Sequence, residues 1–389
     1  MRILFLTNAY PDFDSSYRGI FIKQMASLLK KEGYEISVVT PKIFRESHYF
    51  ENQNGIKVYR FPFFASNKPL IEYENIPYLR MILYYVTGFL LTVYALMRHR
   101  VQLIHVHWAI PTGLIGVLAS TLLGKPLIVT VHGSDFRLAM DRSSLLKKIF
   151  LYVCKRAKHL NCVSEMMRKE IEKLGISGKK VSTFPMGIEE NFLGKGRGQK
   201  GNLNHRPITI LSNRNLLPIY NVSLLIRAIP IILQEESRIK ILIAGDGPER
   251  KKLEQDAKNL NVDNVVRFLG QIPHEKMPDL LNQADIYVST SLYDGTSVSL
   301  LEALASGAFP VVTDIPANRE WITDGKNGFL VPPDEESILA KRIIEAIRNK
   351  ALLEKSRYEN MSLTKEKALW PVTIEKVKQI YERVLGSKI

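Results

Sequence analysis

The chain has 389 residues, more than one hydrophobic core usually serves, so we expect about two domains. Its 46% hydrophobic and 24% charged residues are typical of a folded globular protein and exclude a disordered or collagen-like chain. The formal net charge is +15, and residues 1–200 carry most of it, with 29 Lys and Arg against 15 Asp and Glu.

This uneven charge bears on what the first half binds. Residues 201–389 hold 25 Lys and Arg against 24 Asp and Glu, so the second half is almost neutral. A basic half favours anionic lipid, nucleic acid or a phosphorylated substrate, with solubility as the plain alternative. The sequence has no stripe of interleaved aromatic and basic residues and no recognisable nucleic-acid module, so we expect no nucleic-acid binding.

The cysteines and the N-terminus favour a cytoplasmic protein. Cys154 and Cys162 are too few for a disulfide framework or a metal cluster, and we expect both to be reduced in a core. The apolar run at residues 3–6 is too short for a signal peptide and predicts a buried first strand.

Short apolar runs alternate with helical patterns along the first half, which predicts a parallel sheet covered by helices on both faces. The predicted elements are the strand RILFLT, the helix IFIKQMASLLKKEG with Gly33 as its C-cap, and the strands EISVVTP, QLIHVHW and PLIVTVHG. Ligands bind at the carboxyl ends of such strands. His107, Trp108, His132 and the loop 8–19 follow strand ends, so we expect them to line one edge.

One segment of this half is nearly as apolar as a membrane helix. Residues 81–97, MILYYVTGFLLTVYALM, carry no charge and have arginines on both sides. The segment is close to the lower length limit for a span and is diluted by two threonines and a glycine. Because it falls between strands of one predicted sheet, we interpret it as a core helix or a helix that contacts an anionic membrane.

A basic, glycine-rich stretch, FLGKGRGQKGNLNHRP, interrupts the pattern at residues 192–207. We predict a linker at 194–206, between a first domain of residues 1–193 and a second of residues 207–367. In the second, the predicted elements are the strand ITILSNR, the helix SLLIRAIPIIL, and the strands IKILIAGDG, VVRFLGQ, ADIYVSTS, PVVTD and GFLVP. A last helical stretch covers residues 371–385.

The stretch SLYDGTSVSLLEALASG, residues 291–307, places a polar turn between a strand and a helix. Gly295 permits a tight turn, and Thr296 and Ser297 are favourable first residues of a helix. The N–H groups there form an anion site suited to phosphate, while Glu302 can accept hydrogen bonds from sugar hydroxyls. The corner therefore favours a nucleotide sugar, with an ordinary capped helix and one solvated acid as the alternative.

Three other features lie at predicted strand ends. Arg214 follows the first strand of the second sheet, where a guanidinium can clamp phosphate oxygens. A turn with Gly245 and Gly247 follows another strand, although a lone Gly-x-Gly is weak evidence because turns need glycine anyway. His132 ends a strand of the first sheet, and a lone histidine is more often structural than catalytic.

In this order the motifs resemble those of the retaining glycosyltransferases of family 4, which have the GT-B fold, over nearly the full length of the chain. The resemblance is carried by MRILFLTNAYP, RGIFIKQMASLLKKEGYEISVVT, HGSD at 132–135, CVSEMMRKEIEKLGISGKKVSTFPMGIEENF, GDGP at 245–248, and the acid-x7-Glu motif in DGTSVSLLEALASGAFPVV. Met186 stands where the family usually has Asn.

The resemblance implies an α/β fold in which two Rossmann-like, doubly wound parallel-sheet domains face a cleft. The C-terminal helix (368–389) would return to the N-terminal, acceptor-binding domain, and residues 207–367 would bind the nucleotide-sugar donor. Arg214 would bind the donor diphosphate, helped by backbone N–H groups of Thr296 and Ser297, and Glu302 would hold the ribose hydroxyls.

The remaining implied roles concern the transferred sugar and the acceptor. His132, Asp294 and Arg214 would be the catalytic residues, with Asp294 near the hydroxyls of that sugar and His132 close to its reacting carbon. Further donor contacts are implied for Gly19, Tyr220, Gly245 and Gly247. On the acceptor side the candidates are His107, Trp108 and Asp135.

Two positions depart from the family pattern. Asp294 stands where Glu is commoner, so its reach is shorter by one methylene. Tyr220 and Asn221 replace the usual Lys-Gly pair, which removes a cation that would neutralise the leaving diphosphate. Tyr220 can still donate a hydrogen bond, and another Lys or Arg can take the place of that cation in space.

We therefore expect a retaining glycosyltransferase that moves a sugar from a UDP- or GDP-sugar to a lipid-linked or membrane-proximal glycan, as in polysaccharide or glycolipid synthesis. We expect it in the cytoplasm, peripheral at the inner face of the membrane, and without a cofactor or a metal, although Asp12 and Asp14 form an Asp-x-Asp. The alternatives are a soluble acceptor, phosphorolysis, or a nucleotide-sugar-binding protein with little transfer activity. The sugar, the acceptor, the linkage and the oligomeric state stay open.

Overall fold

Strands and helices alternate along the chain and form two α/β units. The structure is a computed structural model that describes residues 1–13, 16, 18–63, 67, 77–194 and 206–386. Unit 1 comprises Met1–Gly187 and Thr373–Ile389, and unit 2 comprises Ile188–Val372. Most of the predicted linker, residues 195–205, lies outside the described residues.

Unit 1 is built on an eight-stranded sheet. Its strands are β1 (Arg2–Thr7), β2 (Glu35–Lys42), β3 (Phe50–Gln53), β4 (Ile56–Pro62), β5 (Leu103–His107), β6 (Leu127–Val131), β7 (His159–Cys162) and β8 (Val181–Thr183). They lie in the order β3-β4-β2-β1-β5-β6-β7-β8, and all pairs are parallel except β3 with β4. Strands β5 and β6 are buried at every residue, which explains their continuous apolar character.

The helices of unit 1 cover this sheet. They are α1 (Ile20–Lys31), α2 (Tyr78–Arg98), α3 (Thr112–Leu123), α4 (Ser134–Asp141), α5 (Ser144–Arg156) and α6 (Glu165–Lys173). Cys154 and Cys162 are buried and free, which confirms the prediction of two core thiols. By length and composition alone, one helix in the described ranges, Leu79–Arg98 within α2, is able to cross a membrane.

Unit 2 repeats the architecture with six strands, all parallel, in the order β11-β10-β9-β12-β13-β14. The strands are β9 (Ile208–Ser212), β10 (Ile239–Ala244), β11 (Val266–Gly270), β12 (Ile286–Ser289), β13 (Phe309–Thr313) and β14 (Phe329–Val331). The helices are α7 (Val222–Glu235), α8 (Arg250–Asn259), α9 (Met277–Gln283), α10 (Val298–Ala305), α11 (Pro316–Arg319), α12 (Glu336–Arg348) and α13 (Lys350–Lys367).

The strand order of both sheets reverses beside the first strand. In unit 1, β1 lies between β2 and β5; in unit 2, β9 lies between β10 and β12. At such a point the connections that follow two adjacent strands run to opposite sides of the sheet. A crevice that can bind a ligand therefore opens at the carboxyl ends of these strands. The chain leaves β9 toward Arg214 and β12 toward the turn at Asp294, so the crevice of unit 2 lies at the predicted phosphate site.

The last helix, α14 (Trp370–Leu385), returns to unit 1, as the resemblance implies. Lys378 Nζ donates to Glu32 Oε2 at 2.8 Å, and the Tyr381 hydroxyl lies 2.7 Å from His105 Nδ1. Tyr381 is completely buried, so this helix contributes to the core of unit 1.

Candidate active site

Arg214, Asp294 and Ser297 come together where β9 and β12 end. Arg214 Nη2 donates to Asp294 Oδ2 at 2.6 Å, and Nη1 donates to Ser297 Oγ at 2.5 Å. Arg214 is only 7% exposed. Three residues predicted to act on the donor therefore form one hydrogen-bonded group at the crevice of unit 2.

The guanidinium of Arg214 carries its full charge. Burial alone would lower the pKa of Arg214, but the charge and hydrogen bond of Asp294, together with Tyr220 and Tyr287, outweigh burial and raise it. The two hydrogen bonds use two of the five N–H donors of the guanidinium, and its Nε is buried without a partner among the described residues. A buried donor left unused is unfavourable, which favours an anionic ligand here.

Tyr220 lies against Arg214. The guanidinium carbon is 4.1 Å from the centroid of the Tyr220 ring, within the range of a cation–π contact. Thr290 Oγ1 fixes this turn by donating to the carbonyl oxygens of Tyr220 and Asn221, at 3.1 and 2.8 Å. The family pattern has a lysine at the position of Tyr220. Here the tyrosine ring instead packs against Arg214 and helps to hold its guanidinium in place.

Helix α10 begins beside Arg214. Its N-cap is Ser297, whose Oγ accepts a hydrogen bond from the backbone N–H of Leu300 at 3.2 Å, which confirms the predicted helix start. Thr296 precedes the cap and is partly buried, and Asp294 Oδ1 accepts from Gly295 N at 3.0 Å. The N–H groups of the first turn lack partners within the helix and carry its positive dipole end. They add to the charge of Arg214.

The glycine turn after β10 packs against the backbone that carries Arg214. A Cβ at Gly245 would collide with the carbonyl of Arg214, and a Cβ at Gly247 with the carbonyl of Leu216. Leu216 N donates to Asp246 O at 2.9 Å and ties the two segments together. Close packing therefore explains why both positions are glycine. Their predicted contact with the donor stays a prediction.

Glu302, in α10, is paired with a histidine that the sequence analysis missed. Glu302 is 5% exposed, and its Oε1 lies 3.1 Å from His274 Nε2. His274 Nδ1 lies 3.8 Å from Glu189 Oε2. His274 follows β11 at the same edge of the sheet, which is the signal that drew attention to His107 and His132.

His274 and Glu302 each stabilise the charged form of the other. Burial raises the pKa of Glu302, and the hydrogen bond and charge of His274 oppose that rise. Burial alone would lower the pKa of His274, but Glu302 and then Glu189 and Glu275 outweigh it and raise that pKa. His274 therefore stays protonated to higher pH than a free histidine. Of the two carboxylate oxygens of Glu302, His274 contacts Oε1. Within the described residues Oε2 has no hydrogen bond, so it can accept one from a ligand hydroxyl.

In unit 1, the predicted catalytic His132 belongs to a stack of three histidines. His132 Nε2 lies 3.1 Å from His107 Nδ1, and the rings of His107 and His105 stack with centroids 4.3 Å apart. Burial lowers the pKa of His132 to about 3 and holds that of His107 well below its usual value. Both rings are neutral near pH 7, so the tautomer of His132 is tied to that of His107.

The three residues predicted for the acceptor side differ in exposure. Trp108 is partly exposed, whereas His107 and Asp135 are 0% and 1% exposed. The Asp135 carboxylate accepts hydrogen bonds at 2.7 to 3.1 Å from the backbone N–H groups of Ala109, His132 and Gly133. Burial raises the pKa of Asp135 to about 6, and backbone hydrogen bonds, among them those from Ala109 and Gly133, oppose the rise. His107 and Asp135 hold His132 and its loop, and their predicted place on the acceptor side stays a prediction.

Gly19 and Asp12 lie in the loop after β1. Gly19 has a φ of 70°, and a Cβ there would collide with the carbonyl of Ala9, so the loop requires glycine just before α1. Asp12 is buried and accepts from Arg18 Nε at 2.7 Å, while Asp14 lies outside the described residues. Where the structure describes the chain, no group of three or more His, Cys, Asp or Glu side chains is placed to hold a metal ion.

Curated relatives match most of this chain. It is 27% identical over 367 residues to the putative teichuronic acid biosynthesis glycosyltransferase TuaC of Bacillus subtilis, covering 88% of each chain. It is 25% identical over 348 residues to the phosphatidylinositol N-acetylglucosaminyltransferase GPI3 subunit of Saccharomyces cerevisiae, covering 86% of this chain and 72% of that one.

Solved structures share the fold. The sucrose-phosphate synthase of Thermosynechococcus elongatus superposes with a TM-score of 0.85 at 17% identity, covering 100% of both chains. Alr3699/HepE of Anabaena, solved in complex with UDP-glucose, superposes with a TM-score of 0.75 at 19% identity, covering 99% of this chain and 100% of that one.

Two family models match consecutive parts of the chain and together span most of it. Residues 19–192 match Glycosyltransferase Family 4, and residues 198–362 match Glycosyl transferases group 1. These matches agree with the two parallel-sheet units. The chain therefore belongs to family 4 of the glycosyltransferases, has the GT-B fold, and is a glycosyltransferase.

Proposed function

We propose that this glycosyltransferase takes its sugar from a nucleoside-diphosphate sugar, of the UDP or GDP class, bound at the crevice of unit 2. The observation that carries the proposal is Arg214, a buried guanidinium beside the first turn of α10, whose Nε–H has no partner among the residues that the structure describes. Two sources of positive charge at one point suit a diphosphate better than a single phosphate or a carboxylate. The UDP-glucose complex of HepE, a protein of the same fold, supports this choice.

Cleavage of the bond between the anomeric carbon and the diphosphate builds negative charge on the departing oxygens. Arg214 and the N–H groups of α10 are already oriented to receive that charge, which is how preorganised groups lower a barrier. They supply this charge stabilisation without a metal ion. Asp294, released as the diphosphate takes up the guanidinium, accepts hydrogen bonds from the transferred sugar. Glu302 Oε2 accepts from the ribose while His274 holds Oε1 in place.

The acceptor in this proposal is a lipid-linked or membrane-proximal glycan, and the sugar is transferred with retention of its anomeric configuration. Unit 1 carries 30 Lys and Arg against 15 Asp and Glu, whereas unit 2 carries 24 of each. The net charge therefore belongs to the unit that holds the predicted acceptor side, which fits an anionic membrane at the cytoplasmic face. GPI3, whose name contains phosphatidylinositol, is a relative consistent with a lipid acceptor.

The proposal is tested by nucleotide release from a panel of UDP- and GDP-sugars with purified protein. We expect slow hydrolysis of one donor, faster release with its acceptor, and loss of both in Arg214→Ala and Glu302→Ala. Arg227→Ala is the matched control, because Arg227 is a surface arginine of the same unit, paired with Glu336. Binding without turnover would support a nucleotide-sugar-binding protein instead, and turnover that persists in Arg214→Ala would overturn the proposed site.

A further inference from the structure

The outward side of α2 is apolar along its length. Side chains that are 48% to 84% exposed recur every three or four residues: Leu79, Ile82, Val86, Leu90, Tyr94 and Met97. Such spacing puts them on one stripe that covers about a third of the helix circumference and is about 27 Å long. An ordinary surface helix turns polar residues outward, so this apolar stripe requires an explanation.

The other side of α2 is packed into unit 1. Tyr84, Thr92, Ala95 and Leu96 are buried there. At Gly88 the helix approaches its neighbours so closely that a Cβ would lie 2.7 Å from Ile115 of α3 and 3.2 Å from Phe61 of β4. Because this side of α2 is packed in the core, a membrane-spanning orientation would separate the helix from the rest of the unit. The exposed apolar stripe can therefore bind a partner on the outer surface of unit 1.

Helices α3 and α5 continue the same layer. α3 packs on α2 at Ile115, and Arg156 of α5 donates to Thr121 of α3 at 3.1 Å. These helices expose further apolar side chains, at Leu118, Leu122, Leu145 and Tyr152. We call α2, α3 and α5 together the docking layer.

The charges of the docking layer have one sign. The sequences of its three helices contain no Asp or Glu, and they contain six basic residues: Arg80, Arg98, Lys147, Lys148, Lys155 and Arg156. Three basic residues follow directly after these helices, at Arg100, Lys125 and Lys158. A second copy of this layer would bring cations against cations, whereas an anionic lipid surface is complementary to both its charge and its apolar stripe.

We propose that the docking layer binds the surface of an anionic bilayer, with α2 lying parallel to that surface. The stripe of α2 enters the boundary between headgroups and acyl chains, and the lysines and arginines contact lipid phosphates. The inference extends the membrane-proximal acceptor proposed above. Its test measures binding without turnover, so its failure is distinguishable from failure of the transferase proposal.

The test is co-sedimentation of the full chain with phosphatidylcholine vesicles, with and without phosphatidylglycerol. We expect binding only to the anionic vesicles, weakened by salt because exposed charges are screened. Ile82→Glu with Leu90→Glu, and separately Lys147→Glu with Lys148→Glu, should each weaken binding by at least about tenfold. The control pair, Lys251→Glu with Lys252→Glu, changes exposed lysines of α8 in unit 2 and should bind like the wild type.

Orientation needs a second readout. A polarity-sensitive dye on Leu90→Cys should shift to the blue on anionic vesicles, while the same dye on Lys251→Cys should not. Retained nucleoside-diphosphate binding and an unchanged melting temperature show that the variants are folded. Three results would overturn the proposal: no binding of the wild type to anionic vesicles at low salt, docking-layer variants that bind like the control, or a wild-type dimer that the Ile82→Glu/Leu90→Glu variant dissolves.

Discussion

Arg214 and Asp294 form an ion pair in which Nη2 lies 2.6 Å from Oδ2 and the two side chains are 8% and 17% exposed. The carboxylate therefore offsets the charge of the arginine at the point where the diphosphate is proposed to bind. A diphosphate carries more charge than one carboxylate and competes for the same guanidinium. Binding is then an exchange of partners that releases Asp294 toward the sugar.

Arg214 and Asp294 should contribute to the free energy of unfolding as a coupled pair. Arg214→Met leaves Asp294 partly buried without its cation, and we expect the free energy of unfolding of unit 2 to fall by about 3 kcal/mol. The double variant Arg214→Met/Asp294→Asn, which leaves no charge behind, should lose clearly less. Urea unfolding of the four proteins of the cycle gives the coupling energy. Additive losses would mean that the two charges do not interact.

Donor binding should depend on pH through His274. Because the pKa of His274 is raised, its positive charge is present below that pKa and is lost as pH rises through it. The phosphates of a UDP-sugar are diesters and do not titrate near neutrality. Such a donor should therefore bind about tenfold more weakly well above the raised pKa than below it. Calorimetric titrations between mildly acidic and mildly alkaline pH measure this profile.

His274→Gln is the control for that profile. Glutamine still donates a hydrogen bond to Glu302 but has no charge to lose, so its binding should be flat over the same range. A profile unchanged in this variant would place the titrating group elsewhere.

Glu302 should recognise the ribose and not the phosphates. Glu302→Gln is expected to weaken binding of a UDP-sugar by about tenfold, because a hydrogen bond to a charged acceptor becomes a neutral one. A 2′,3′-dideoxy analogue lacks the hydroxyls, and its affinity should be the same for wild type and variant. Equal losses for both ligands would remove Glu302 from the ribose.

The close packing of the turn at Gly245 should contribute both to the stability of unit 2 and to donor binding. Gly245→Ala forces a Cβ into the carbonyl of Arg214, so we expect a loss of about 2 kcal/mol in unfolding free energy together with weaker donor binding. Gly325 has a positive φ of 74° but open space around it, and Gly325→Ala measures backbone strain alone, about 1 kcal/mol. If both variants bind the donor like the wild type, the turn does not position Arg214.

Elements with strong local signals were predictable from the sequence. The strands β1, β2, β5, β6 and β9 to β14 consist mostly of apolar residues, because parallel strands are largely buried between layers of helices. Ser297 was expected at the start of α10 because its hydroxyl can cap a free N–H. The edge strand β3 gave no such signal, since it alternates between exposed and half-buried residues, and its neighbour β4 was missed as well. Short β7 and β8 were missed for the same lack of a long apolar run.

The pairing of side chains was harder to predict than their position. Strand ends located Arg214, Asp294 and Glu302, but which charge each would meet depends on residues distant in sequence. Glu302 meets His274, and Arg214 stacks on Tyr220, through turns whose geometry is set by tertiary contacts. His107 lies at the end of β5, as predicted, yet its complete burial depends on packing that periodicity does not encode.

Calorimetry can measure whether Arg214 and the first turn of α10 bind the diphosphate of the donor. The ratio of the affinities for UDP and for uridine isolates the contribution of the two phosphates. We predict that the wild type binds UDP at least about 100-fold more tightly than uridine, and that Arg214→Met/Asp294→Asn lowers this ratio by about tenfold or more with uridine affinity unchanged. An equal ratio in the two proteins would mean that Arg214 does not bind the diphosphate.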